Sequence, residues 1–193
     1  DFVARGRQAL IDRLASEKST KGITPSMAKT AREFIDQVPE QYLERLGSSF
    51  VTAGGRAEKT SPLPSNPGLY AAKAAPDAGQ DIGLVRIVKG LAENQPDPDR
   101  VIIHEIAHHL EQFVSTQDAE ALRKEFRYEL GIKGGVKLGK GLDTLKGVAE
   151  GDIPAYKGYR YKNLEGSFSE WVAENIADGA LKAADGAETA GHW

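Results

Sequence analysis

The sequence predicts a single α+β domain over residues 1–193, in which a small sheet lies beside one central helix and the C-terminal part is mostly helical. Apolar residues recur at helical spacing up to residue 47, then follow the alternation typical of strands, and return to helical spacing at residue 99. With 193 residues, of which 40% are apolar, the chain is long enough to bury one core. We therefore divide the domain into a helical part (1–47), a sheet followed by the central helix (48–115) and a second helical part (116–193).

The first 47 residues predict three helices that pack against the core. The first spans about residues 2–17. Thr24 followed by Pro25 is a typical helix start, because a threonine hydroxyl can cap the free amides and proline suits the first helical position. Pro39 begins a short third helix, which Gly47 can end.

Three short segments favour β-structure, and they lie just before the central helix. A loop with three prolines, residues 56–68, separates the first from the second. Asp97 or Asp99 can cap the helix that follows. The predicted strands, which would form a small antiparallel or mixed sheet, are residues 48–53, 69–72 and 82–88.

The central helix, predicted over residues 99–115, contains the pattern H-E-x-x-H between His104 and His108. Because residues four apart lie on one face of a helix, these two side chains can direct their imidazoles at one Zn²⁺ ion, about 2.0–2.1 Å away. Glu105, next to the first histidine, can then act as a general base without binding the metal. The alternative is a chance match, in which the histidines are ordinary core or surface residues.

The other two of the four histidines are poor candidates for a third ligand. His109 lies about 100° around the helix from His108, so we expect it to pack or to make a surface hydrogen bond. His192 is the penultimate residue. The longer pattern H-E-x-x-H-x-x-G-x-x-H fails, because Glu111 and Val114 stand at its glycine and third-histidine positions. A carboxylate farther along the chain is therefore needed.

The C-terminal part predicts a helix over about residues 117–130, capped by Thr116, and a last helix over residues 168–181 with Ser167 or Ser169 near its start. The last helix carries three carboxylates on one face. Either this face is a solvated acidic stripe, or its first carboxylate completes a zinc site, since two histidines and a glutamate are a known ligand set. The carboxylates are those of Glu170, Glu174 and Asp178.

Two segments between these helices are unusual in composition. Residues 131–141 are rich in glycine and lysine, but Gly141 stands where a phosphate-binding loop needs a hydroxyl, so we interpret the segment as a flexible basic connector. Tyr156, Tyr159 and Tyr161 lie within six residues. They form either an aromatic loop that covers the core or part of a functional site.

The two helical motifs together resemble the lethal-factor-like zincins, a group that includes the Pro-Pro endopeptidases. The resemblance rests on His-Glu-Ile-Ala-His and on Glu170-Trp171-Val172-Ala173-Glu174 downstream. It implies a zincin-like fold, with Glu170 as third zinc ligand and Glu174 supporting the site. It also implies that Tyr161 or Tyr159 stabilises the oxyanion, and it favours a toxin, an effector or a secreted processing enzyme.

We therefore expect a zinc-dependent endopeptidase that acts on a protein or peptide substrate. Residues 82–88 are a candidate edge strand for holding that substrate extended, and an ordinary core strand is the alternative. A second hypothesis is a structural or interaction module, such as an assembly or virion component, that keeps a zinc site without turnover. A third is a zinc hydrolase acting on a non-peptide bond.

Composition bounds the remaining possibilities. The net charge of −3 and the lack of a basic face argue against nucleic acid as a partner. No apolar run approaches the ~18 residues of a membrane span. The absence of cysteine excludes disulfides and thiolate ligands. Because the first residue is Asp1, we expect the chain to be a piece of a longer protein. Its oligomeric state and compartment stay open.

Overall fold

The computed structural model describes residues 4–52, 67–72, 83–90, 92–129 and 164–184. Over these residues the chain is an α+β fold with a three-stranded mixed sheet and mostly helical content, which confirms the predicted class. Within the described part of the chain, no helix is both long enough and apolar enough to cross a membrane.

Four helices precede the sheet. Thr24 caps the third of them as predicted, because its hydroxyl oxygen accepts a hydrogen bond from the Met27 amide at 3.1 Å. The first helix begins at Arg7, five residues later than predicted, after Gly6 at a φ of 90°. The helices are α1 (Arg7–Ala15), α2 (Glu17–Thr20), α3 (Pro25–Gln37) and α4 (Glu40–Leu43).

The sheet contains β1 (Leu46–Thr52), β2 (Gly68–Ala71) and β3 (Gly83–Lys89), in the order β1-β3-β2. β3 pairs parallel with β1 and antiparallel with β2. All three strands were predicted to within a few residues. The choice of residues 82–88 as the edge strand is wrong, because β3 is the central strand, and among the described strands β2 lies at an edge.

The remaining helices are α5 (Arg100–Leu110), α6 (Thr116–Glu129) and α7 (Leu164–Ala184), with a single 3₁₀ turn after α5 at Glu111–Phe113. The strong helix predicted from residue 168 thus begins four residues earlier. Its extra first turn places Ser169 inside the helix instead of at its start.

The caps of α5 and α6 differ from the prediction. Of the two aspartates predicted to cap α5, Asp99 stands at the N-cap position, but its side chain makes no capping hydrogen bond and instead accepts from the Ser26 hydroxyl at 2.7 Å. Helix α6 is capped by Ser115, one residue before the predicted Thr116. The Ser115 hydroxyl oxygen accepts from the Asp118 amide at 3.1 Å, while the hydroxyl proton goes to the Asp118 carboxylate.

Helix α5 is central, because it contacts the sheet, α3 and α7. A smaller aromatic cluster joins α6 to α7, where the Phe126 ring lies 5.5 Å from that of Phe168 and 5.7 Å from that of Trp171. The largest fully buried side chains are Met27, Ile35, Leu43, Leu46, Val85, Ile87, Ile103, Ile106 and Phe126.

Candidate metal centre

Helix α5 carries two polar rows, each made of residues four apart. His104 and His108 form one row, which faces α7; their rings lie 4.7 Å apart and nearly perpendicular. Glu105 and His109 form the other, which faces the sheet. Both rows are largely buried by the apolar packing of α5. One helix therefore presents two separate sets of functional groups to two neighbouring elements.

Glu170 on α7 meets the first row. Its two carboxylate oxygens lie 2.8 Å from His104 Nε2 and 3.0 Å from His108 Nε2. The two Nε2 atoms are 3.1 Å apart. This buried group of three side chains could hold a metal ion.

The donor set fits a small divalent cation. Bonds of 2.0–2.2 Å in tetrahedral geometry place neighbouring donor atoms about 3.3 Å apart, within a few tenths of an ångström of the separations seen here. Among the described residues, two imidazole nitrogens and one carboxylate converge, which are three of the four ligands of a tetrahedral site.

Glu174 and Arg100 support His104. The Nδ1 atom of His104 lies 2.8 Å from a Glu174 carboxylate oxygen, and the other Glu174 oxygen binds the Arg100 guanidinium. Arg100 also binds Asp178. Because Nδ1–H donates to Glu174, Nε2 is the nitrogen of the neutral ring that would bind a metal ion.

The solvated acidic stripe considered from the sequence is therefore wrong. Glu170 and Glu174 are each only 8% exposed, and all three carboxylates bind side chains of α5. Sequence reasoning missed Arg100. Arg100 stands one helical turn before His104. A positive charge on the same helix face as the histidines, together with the row of carboxylates on the last helix, was the sequence signal that could have identified it.

His108 is held by a different pair, Ser169 and Glu111. Its Nδ1 lies 3.1 Å from the Ser169 hydroxyl, which donates its own proton to Glu111 at 2.7 Å. His108 Nδ1–H thus donates to a hydroxyl whose orientation a carboxylate fixes. Glu111 lies at the Nδ1 side of the ring, away from the three donor atoms. Sequence reasoning gave Ser169 no such role.

Burial and the neighbouring carboxylates shift the pKa values of both histidines in the metal-free protein. Burial lowers the pKa of His104, but the hydrogen bonds to Glu170 and Glu174 outweigh it and raise that pKa to about 9. Burial also lowers the pKa of His108, but the hydrogen bonds to Glu111 and Glu170 outweigh burial and raise that pKa to about 10. The neighbouring carboxylates therefore favour the protonated rings, and a metal ion that binds both Nε2 atoms has to displace protons.

Glu105 is buried beside the sheet. A Cβ on Gly68 of β2 would lie 2.8 Å from its Cγ and 2.9 Å from a carboxylate oxygen, so any larger residue there would have to displace the Glu105 side chain. Burial raises the pKa of Glu105 to about 7, although the charges of His104 and His108 lower it. Its side chain does not enter the three-donor group.

His109 was predicted to be no metal ligand, and the structure places it against the sheet, outside the three-donor group. It is 2% exposed, so the alternative of a surface hydrogen bond is wrong. Its Nε2 lies 2.9 Å from the Tyr42 carbonyl oxygen, and its Nδ1 lies 2.8 Å from the Tyr70 hydroxyl. Burial lowers the pKa of His109.

Several predicted features lie outside the described residues. They include the candidate oxyanion tyrosines, Tyr159 and Tyr161, as well as Tyr156, His192 and the glycine- and lysine-rich segment at 131–141. Comparisons with protein-family models, curated proteins and solved structures found no match to this chain.

Proposed function

We propose that this chain is a zinc-dependent endopeptidase of the Glu-type zincin kind, in which His104, His108 and Glu170 bind the metal and Glu105 is the general base. The observation that carries the proposal is the buried convergence of two histidines and a glutamate beside a second glutamate that stays out of the donor group. The resemblance to lethal-factor-like zincins points in the same direction.

Zinc is the metal that we favour. Imidazole nitrogens suit Zn²⁺ better than Mg²⁺ or Ca²⁺, and a set of two histidines and one glutamate is typical of catalytic zinc. The contacts of Glu174 with His104 and of Ser169 with His108 are the outer hydrogen bonds that such ligands usually have.

The chain's own residues supply the proton chemistry. Bound zinc lowers the pKa of a water molecule to about 7 and polarises a carbonyl group. Glu105, whose pKa burial raises to about 7 in the metal-free protein, would take a proton from the attacking water and give it to the leaving amine. We keep Tyr161 or Tyr159 as the group that stabilises the oxyanion, on the strength of the resemblance.

The edge strand β2 is a reason to favour a peptide as the substrate. Among the described strands, β2 pairs on one side only, with β3, and its Gly68 contacts Glu105. An extended peptide that pairs with β2 by strand addition has its backbone held beside the general base. We therefore assign to β2 the substrate-pairing role that was predicted for residues 82–88.

Cleavage of a peptide library tests the proposal. Wild-type protein should cleave a subset of peptides and should contain about one Zn²⁺ per chain, while Glu105→Gln should keep the metal and lose at least about 100-fold in rate. Glu125→Gln, an exposed substitution on α6, is the matched control and should cleave normally.

A zinc-loaded wild type that cleaves no peptide would refute the proposal and favour an interaction module, or hydrolysis of another bond. Full zinc occupancy after replacing both His104 and His108 with alanine would show that the metal lies elsewhere.

A further inference from the structure

Two glycines of the sheet make room for the second polar row of α5. Gly68 of β2 leaves space for Glu105, as described above. At Gly83 of β3, a Cβ would lie 2.7 Å from His109 Nδ1 and 2.8 Å from the Tyr70 hydroxyl oxygen. Each buried polar side chain of this row therefore rests where a strand carries no side chain.

The hydrogen bonds fix the protonation of His109. The Tyr42 carbonyl can only accept, so Nε2 must carry the proton that it receives at 2.9 Å. Nδ1 of the neutral ring is then an acceptor, and the Tyr70 hydroxyl donates to it at 2.8 Å. The Gln112 amide nitrogen also reaches Nδ1, at 3.1 Å. His109 thereby joins α5 to both the end of α4 and the edge strand.

Tyr70 and Gly68 stand two residues apart on β2, so they face the same side of the sheet. That side faces α5, where Tyr70 meets His109 and Gly68 meets Glu105. β2 has only four residues and, among the described strands, pairs with β3 alone. A short edge strand of this kind holds its position poorly by backbone pairing alone.

We propose that His109 is a positioning residue, which through its hydrogen bond with Tyr70 holds the edge strand β2 against Glu105. The proposal rests on the function given above for the role of Glu105, but its structural part does not. His109 touches neither the three donor atoms nor the reacting groups. It acts by keeping the strand, and with it Gly68, at a fixed distance from the general base.

Three variants break the same contact from different sides. Tyr70→Phe removes only the hydroxyl, His109→Leu removes the acceptor, and Gly83→Ala inserts a methyl group between the two partners. His109→Gln is the conservative variant, because a side-chain amide can still accept from Tyr70 and donate to the Tyr42 carbonyl. Gly179→Ala is the matched glycine control, since a Cβ there meets nothing within 4 Å.

Hydrogen exchange is the first measurement, and it needs no substrate. In zinc-loaded protein, amides of residues 68–72 should exchange at least about 10-fold faster in Tyr70→Phe, His109→Leu and Gly83→Ala. Amides of α7 should exchange as in wild type, and each variant should keep about one Zn²⁺ per chain. His109→Gln should restore most of the protection, and Gly179→Ala should change nothing at β2.

Peptide cleavage is the second measurement. Tyr70→Phe and His109→Leu should each lower kcat/KM about 10-fold, and the double variant should lose no more than either single variant, because both remove one contact. A role in stability alone would lower Tm and speed exchange throughout the chain, without a local change at β2.

The outcomes separate the two proposals. If wild-type protein cleaves no peptide but the exchange at β2 rises as expected, the endopeptidase proposal fails and the contact between His109 and β2 stands. If exchange at residues 68–72 is unchanged in Tyr70→Phe and His109→Leu, the positioning role is wrong whatever the activity. Additive losses of kcat/KM in the double variant would also overturn it.

Discussion

At the scale of single residues, the two histidines of the candidate metal centre differ in how their Nδ1 atoms are held. His104 donates to a carboxylate that is neutralised by Arg100, whereas His108 donates to the Ser169 hydroxyl, which passes the interaction to Glu111. A direct carboxylate partner raises the basicity of a ligand histidine more than a hydroxyl does. The two ligands are thus supported unequally.

Glu174→Ala should lower zinc affinity about 10–100-fold, while Ser169→Ala should have a smaller effect, because Glu111 can still accept from Nδ1 directly. Titration with zinc in competition with a chelator measures both. Glu120→Ala, an exposed change on α6, is the control and should bind zinc as wild type does. Equal affinity in Glu174→Ala and wild type would contradict the support that we assign to Glu174.

At the scale of elements, the start of helix α6 shows which of two adjacent residues serves as its N-cap. The sequence offers Ser115 and Thr116 as adjacent caps, and the structure uses the serine, whose hydroxyl also donates to Asp118. Ser115→Ala should therefore lower the free energy of unfolding by about 1 kcal/mol, whereas Thr116→Ala should cost at most a few tenths. Urea unfolding of both variants measures the difference, and the reverse order would place the cap at Thr116.

Much of the fold could be predicted because its signals are local. Thr24 and Pro25 mark a helix start by themselves, and the spacing of His104 and His108 gives a shared face on any helix. The order of the strands could not be predicted in this way. Residues 82–88 look the same in the sequence whether they lie at the centre or at the edge, since pairing partners are distant in the chain.

The candidate site also contains some residues that local sequence patterns could predict and others that depend on contacts between distant segments. The three residues whose donor atoms converge are those that the sequence suggested, but Arg100, Ser169 and Glu111 were missed because their role depends on α5 and α7 lying side by side. Gly68 was missed as well. Nothing in the sequence near Gly68 indicates that the Glu105 side chain will occupy the space beside it.

At the scale of the whole molecule, stability should fall less steeply with rising pH when zinc is bound than when it is absent. The pKa values of His104 and His108 are raised to about 9 and about 10 from 6.5, so their protonation stabilises the metal-free fold below pH ~6.5 and this contribution is lost as the pH rises toward those values. Burial raises the pKa of Glu105 from 4.5 to about 7, so the metal-free fold also loses stability through this residue as the pH rises above 4.5. Zinc requires both rings to be unprotonated, so its binding strengthens with pH.

Between pH 6 and pH 8.5, chelated protein should therefore lose more than ~1.4 kcal/mol of stability, the equivalent of one pKa unit, while protein with excess zinc should lose less or gain. Calorimetric unfolding of both forms at several pH values measures this divergence. Replacing His104 and His108 with alanine together should remove it. Parallel curves for the two forms of wild-type protein would contradict the coupling of zinc to these protons.

The contact between Gly68 and Glu105 has a consequence for the evolution of this chain. While the glutamate keeps this position, a substitution that adds a Cβ at position 68 comes within 2.9 Å of its carboxylate oxygen, so we expect residues 68 and 105 to change together in relatives. A shorter residue at 105 would remove this constraint on position 68. Under the proposed function, relatives that keep both histidines but carry a side chain at 68 and a small residue at 105 should bind zinc without cleaving peptides.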